Sequence, residues 1–390
     1  MKKSKKAIVT ILYIIILLPF FKTDYIFFNM PNLNNILGIM RILSAIISLI
    51  IAIKNRYISK KIIYLVIFAS IIIFSTIVHS GNITTVINYF ITFLTIAYLI
   101  DYNKKDILFL NSMLICFEII IYINFISMIL YPQGLYTTGN ILIGTATQNW
   151  FLGFKNVMIT FFLPAFTISY IYMNITGRKI RHYILSIIIL LSTFMSGSST
   201  SIVGISILFL FSIFDIGKKY YNTFNIKTYM KVSYILFFII VIFRLQYMFS
   251  FFLEDILKKD LTFTHRTVLW DITINKIIQY PLLGNGWVDA DIRRTMYNSQ
   301  TIITAHNQIL EYLFLGGFLC IIALFLLCNK SEKEIKNFYR DKNIQIISLS
   351  FFVFMIINLT EVFLNPLIMI VFFIYIFAKN YILEDSDERN

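Results

Sequence analysis

TIITAHNQILEYLFLGG, residues 301–317, places a histidine, an asparagine and a glutamate within six positions of one another. They stand where a polar segment hands over to an apolar run, LEYLFLGGFLCIIALFLL, long enough to cross the ~30 Å hydrocarbon core of a bilayer as a helix. The rest of the chain repeats that pattern. Its 390 residues are 58% hydrophobic and 14% charged, with a mean hydropathy of +0.78. Apolar runs of about 18 to 25 residues recur, and they are continuous rather than alternating, which argues for helices and against a membrane barrel. The sequence predicts an all-α polytopic membrane protein, a single domain over 1–390. About 12 transmembrane helices are expected, at 7–28, 33–53, 61–78, 83–100, 107–130, 153–173, 182–196, 200–214, 231–250, 305–328, 344–360 and 362–378. The opening MKKSKK resembles a secretory signal, but no small-residue cleavage site follows, so 7–28 reads as an uncleaved first helix.

The formal net charge is +14. Lys and Arg concentrate in alternate connections, at 2–6, 54–61, 104–105, 178–181, 218–231, 330–342 and 379–389. The positive-inside rule places those connections and both termini in the cytoplasm. The basic excess therefore orients the chain and calls for no nucleic-acid partner. On the other side two segments exceed a simple turn: 131–152, rich in Gly, Thr and Asn, and a long, partly helical external loop at 251–304 between the ninth and tenth spans. Within that loop Trp270, Ile274, Ile277 and Ile278 form a helical stripe over 266–279, with Arg266 one turn before Trp270 on the same face. Pro281 stops the helix at Tyr280. The stripe predicts a helix lying along the membrane interface with Trp270 at headgroup level. In the following PLLGNGW, Gly284 and Gly286 allow a tight turn.

Ionisable groups are expensive inside a membrane, and here they gather at the expected outer ends of spans. Lys155, Arg244, Arg266, Arg293, Arg294, His306, Glu311, Asn358 and Glu361 all fall there, while Glu118 sits mid-span with no assigned role. Asn307 and Glu311 lie one helical turn apart, so Glu311 can anchor Asn307 or orient the imidazole. Imidazole titrates near neutral pH and suits removal of a proton from a hydroxyl. Guanidinium groups suit a departing phosphate or diphosphate. A base and several cations at an outer membrane interface describe a transferase acting on a lipid-linked phosphate ester. Simpler readings cover other residues. Lys258, Lys259, Arg293 and Arg294 also read as solvated loop charges, and Arg41 as a snorkelling side chain. Asp289 and Asp291 have a spacing too common to specify a metal site, and no metal is expected. Cys116, Cys320 and Cys328 read as apolar filler, His79 and His182 as bystanders.

The order HRTVLW, then YPLLGNGW, then AHNQILEYLFLGGFLCIIALFLL, within a multi-span chain, resembles the O-antigen ligase and polymerase superfamily, most closely over 262–328. That superfamily includes the capsular and O-antigen polysaccharide polymerases. The resemblance implies a GT-C-like, metal-independent glycosyltransferase that needs no cofactor and works at the external face of the plasma membrane. Undecaprenyl-diphosphate-linked oligosaccharides would be donor and acceptor, membrane lipids its surroundings, and a flippase and a chain-length regulator its partners. It implies that His306 activates the acceptor hydroxyl and that Arg266 binds the donor diphosphate. Many members carry a second arginine after an S-x-S stretch; here SGSSTSIVG (196–204) has Ser199 or Thr200 in that place. Arg244, Arg293 or Lys155 could substitute, with Arg294, Asn307 and Glu311 as further substrate-binding candidates. The expected activity is polymerisation of lipid-linked repeat units. A ligase moving finished polymer to another acceptor is the near alternative. A transporter or lipid-linked sugar flippase is the distant one, disfavoured because the polar groups gather outside rather than at the midplane.

Overall fold

A computed structural model describes residues 2–139, 146–214, 220–245 and 266–383. Its helices are α1 (Lys2–Leu17), α2 (Asp24–Asn29), α3 (Pro31–Asn55), α4 (Lys60–Val78), α5 (Ile83–Tyr102), α6 (Ile107–Leu130), α7 (Ile159–Thr176), α8 (Lys179–Ser196), α9 (Ser199–Phe214), α10 (Ile226–Phe237), α11 (Arg266–Gln279), α12 (Ala290–Met296), α13 (Gln308–Ile335), α14 (Lys342–Ile357) and α15 (Met369–Ile376). Seven of these, α3 to α8 and α13, are long and apolar enough to cross a membrane. α9 and α14 are apolar too but shorter. The chain is a multi-pass, all-α membrane protein.

The expected first and last spans are not single long helices. α1 stops at Leu17 because Pro19 enters a 3-10 turn over Leu18–Phe20, and Thr23 then caps α2 through the amide of Ile26 at 3.4 Å. At the other end, Asn365 and Pro366 hold the chain in turns, so only Met369–Ile376 of the expected 362–378 is α-helical. The sixth span starts at Ile159 rather than 153 because the residues before it build a small antiparallel sheet. That sheet pairs β1 (Tyr136–Thr138) with β2 (Thr147–Trp150) and β2 with β3 (Gly153–Phe154), in register Tyr136 to Asn149 and Asn149 to Phe154. Asn124, fully buried near the end of α6, accepts from the Leu152 amide at 2.9 Å and ties the sheet to the bundle. The end of the expected ninth span at 246–250, and 251–265 with Lys258, Lys259 and His265, lie outside the described residues.

α7 is the central helix, with every residue from Ile159 through Met173 buried. It packs against α6, α8 and α14, while α4 lies along α13 and α1 along α6. Glu118, mid-way along α6, finds its role here. Arg181 of α8 grips it with two hydrogen bonds of 2.7 Å each and reaches Asn111 at 2.6 Å. A charge at that depth is tolerable because its partner is bidentate.

The outer loop is locked to the bundle by glycines. α13 breaks at Gly317, whose φ of +64° and ψ of −162° lie outside helical space. The freed backbone groups are taken by the PLLGNG stretch. Phe318 N–H donates to the Pro281 carbonyl at 2.8 Å, and Asn285 N–H donates to the Phe314 carbonyl at 2.6 Å. At Gly284, φ +72°, an added Cβ would come within 2.5 Å of the Phe314 oxygen. The Trp287 amide then donates to the Thr76 hydroxyl at 2.9 Å, at the end of α4. The glycine turn of PLLGNG and the break at Gly317 are therefore two halves of one backbone joint.

Candidate functional site

The site begins at the first turn of α13. Asn307 is its N-cap, accepting from the Leu310 amide at 2.9 Å while its own amide donates to the Leu359 carbonyl at 2.9 Å. Gln308 N–H donates to the Asn358 carbonyl at 2.9 Å, and its side chain accepts from the Phe363 amide at 3.1 Å. Three hydrogen bonds thus stitch the start of α13 to the turn after α14. Between these anchors His306 is held at φ +49°, left-handed space that costs a non-glycine residue on the order of 1 kcal/mol. The neighbouring Ala305 amide is fixed by the Glu311 carboxylate at 2.9 Å.

Glu311 does not orient the imidazole or reach the Asn307 side chain, as the one-turn spacing had suggested. Its other oxygen receives Arg293 at 2.6 Å, in a pair that is 5% and 3% exposed, and the Arg293 guanidinium lies 3.7 Å over the Phe314 ring. This closed pair holds α12 against α13 and fixes the loop carrying His306. Asn307, with no exposure at all, is likewise committed to the backbone.

The carboxylate that does face the imidazole is Glu361, in the turn between α14 and α15. One Glu361 oxygen receives Arg266 from the start of α11 at 2.6 Å and Asn156 at 2.9 Å; the other lies 3.5 Å from His306 Nδ1. Asn156 precedes α7, and its own oxygen accepts from Ser198 at 3.1 Å, which in turn contacts Ser201 at 3.0 Å. Burial alone would raise the Glu361 carboxyl. The neighbouring His306 and Arg266 outweigh it and hold the group below its usual range. The arrangement brings an imidazole and a guanidinium to the two oxygens of one buried carboxylate, with the His306 side chain 31% exposed.

The remaining cations divide by partner. Arg244 bonds Asp271 at 2.6 Å and sits 5.0 Å over the Trp270 ring. Trp270 is fully buried beneath it rather than presented on an outer face, because α11 packs its stripe on α13. Ile278, on the edge of that stripe, stays exposed. Arg294 pairs with Asp291 at the surface at 2.5 Å, and Asp289 accepts from Asn82 at 2.5 Å, so the two aspartates face different partners. Lys155, beside Asn156, makes no ion pair among the described residues and lies 5.9 Å from the Phe154 ring. Sequence reasoning placed Glu361 in the outer polar group without giving it a role, and missed Asn156 and Ser198. A lone asparagine and a serine carry no spacing signal until three distant segments are brought together.

Residues 184–325 match the family model described as O-antigen ligase. No curated protein matches the chain significantly. The matched stretch runs from α8 into α13 and carries Arg266, Arg293, His306 and Glu311, while Asn156 and Glu361 lie outside it. Members of this family are glycosyltransferase-like enzymes acting on lipid-linked sugars. That match covers residues 184–325 of the 390, so this stretch is similar to the O-antigen ligase family and supports a place for it in the O-antigen ligase and polymerase superfamily.

Proposed function

We propose that the protein is a polysaccharide polymerase, which transfers a growing chain from its undecaprenyl diphosphate carrier to a sugar hydroxyl of a new lipid-linked repeat unit. The observation that carries this reading is the pairing of His306 and Arg266 through Glu361, at the end of the bundle where the basic connections are absent. His306 takes the hydroxyl proton as the oxygen attacks the anomeric carbon. The bond from that carbon to the diphosphate breaks, and undecaprenyl diphosphate leaves with the electron pair. Arg266 stabilises the charge that develops on the leaving group. Among the described residues Arg244, Arg293 and Arg294 are each paired with a carboxylate other than Glu361 and Lys155 makes no ion pair, so Lys155 supplies the second cation beside Arg266. The reaction calls on no metal in this scheme. It runs in a GT-C-like fold at the external face of the plasma membrane, with both termini in the cytoplasm and a flippase and chain-length regulator as partners.

His306→Ala and Arg266→Ala should each leave expression intact and abolish long polymer, read by gel electrophoresis of extracted polysaccharide; wild-type chain lengths from either variant contradict the assignment. Lys155→Ala should raise the donor KM about tenfold, the loss of roughly 1.4 kcal/mol expected for one charge-assisted contact. An unchanged KM removes Lys155 from the scheme. The family description favours a ligase as the second reading, with the same residues acting on a different acceptor. Product analysis separates the two: a ladder of repeat units for a polymerase, a single transfer to a non-repeat acceptor for a ligase.

A further inference from the structure

We infer that Glu361 is the positioning residue of the reaction, setting the tautomer of His306 and holding Arg266 in place until the donor diphosphate takes it. This rests on the transferase reading above. His306 Nδ1 is buried and, among the described residues, the Glu361 oxygen at 3.5 Å is the group it faces. A carboxylate only accepts, so it selects the tautomer that carries its proton on Nδ1. The lone pair is then on Nε2, free to take the acceptor proton. The 3.5 Å separation is that of a resting site, and such contacts shorten when substrate binds.

The other Glu361 oxygen is the counter-anion of Arg266. A diphosphate offers Arg266 a charge-assisted acceptor of the kind one Glu361 oxygen now provides, and can engage the guanidinium through two nitrogens where the carboxylate engages one. When donor binds, Arg266 exchanges one anion for the other, and Glu361 is left to His306 and Asn156. The carboxylate thus occupies the donor's place and is handed to the base when the donor arrives. The charged and polar groups facing it come from every neighbouring element: Arg266 from α11, Asn156 from the turn before α7, and His306 from the loop before α13. The Arg293–Glu311 pair stands behind Ala305.

The isosteric change Glu361→Gln tests this because the surroundings fix how glutamine must lie. Two donors, Arg266 and Asn156, converge on one oxygen position. Glutamine has to put its oxygen there and its NH2 towards His306 Nδ1. That forces the opposite tautomer, with the proton on Nε2, where it cannot accept another. The assay uses the purified full chain with lipid-linked repeat units. Glu361→Gln should lower kcat at least about 100-fold while leaving donor KM equal to or below the wild-type value. Glu361→Asp, which keeps the acceptor but shortens the arm, should recover part of kcat. It also serves as the readout where the glutamine variant does not yield folded protein. A Glu361→Gln kcat within threefold of wild type overturns the inference, as does a donor KM that rises with kcat unchanged. A wild-type chain that builds no polymer in the same assay overturns the polymerase reading itself, so the two failures are distinguishable.

Discussion

At the scale of the residue, charged side chains of similar sequence character have different work. Glu311 and Arg293 form a closed, buried pair, whereas Arg294 and Asp291 form a surface one. Removing one partner of a buried pair leaves an uncompensated charge at a cost of about 3–5 kcal/mol, while an exposed pair contributes roughly 0–1 kcal/mol. Glu311→Gln should therefore lower the yield of folded protein and its melting temperature sharply, and Arg294→Gln should leave both unchanged. Thermal unfolding in detergent checks the contrast. Glu361 carries a pH signature as well. Its carboxyl is held below the usual value, so the folded chain binds that proton more weakly than the unfolded one. Its contribution to stability is present above the unfolded value of about 4.5 and is lost as pH falls through the folded one. The acid side of a melting-temperature curve should be flatter for Glu361→Gln than for wild type below about pH 4.5. Parallel curves would show that the group contributes no such linkage.

At the scale of the element, the joint between PLLGNG and the break in α13 explains why the glycines stand where they do. Gly317 and Gly177 both have positive φ, +64° and +73°, but an added Cβ at Gly177 meets nothing within 4 Å. Gly177→Ala should cost about 1 kcal/mol of left-handed strain. Gly317→Ala adds a collision with the Leu282 backbone and should prevent the loop from docking, seen as loss of monodisperse protein on size-exclusion chromatography. Equal yields for the two variants would contradict the joint. Much of this was legible in the sequence: the stripe over 266–279, the stop at Pro281 and the turn glycines are local signals, and α11 follows them. An amphipathic stripe says that a face is covered, not what covers it, so the stripe placed Trp270 at headgroup level without showing that α13 and Arg244 enclose it. Gly317 sits in an apolar run that reads as continuous helix, because the partner that repairs the break lies some thirty residues earlier in the chain. Asn156, and the role of Glu361, were beyond reach for the same reason, each meaningful only once non-adjacent turns meet His306.

At the scale of the whole molecule, the hydropathy pattern gave the class and the helical bundle, while the edges moved wherever proline or the small sheet intervened. Orientation is the feature on which the function turns, since the site lies at the end opposite the basic connections. The three native cysteines are buried, so introduced ones can be followed against a quiet background. A membrane-impermeant thiol reagent applied to intact cells should label Gln300→Cys and spare Lys54→Cys, both exposed positions at opposite ends of the bundle. The reverse pattern would put His306 on the side where lipid-linked chains are not displayed.

The central claim is that His306, Arg266 and Glu361 together join lipid-linked repeat units. Its most direct test is to incubate purified protein in detergent with undecaprenyl-diphosphate-linked repeat units and a chelator, and to follow chain length by mass spectrometry. Wild-type protein should yield a ladder of products and release undecaprenyl diphosphate, and His306→Ala should return the repeat units unchanged. A ladder from His306→Ala, or none from wild type, would contradict it.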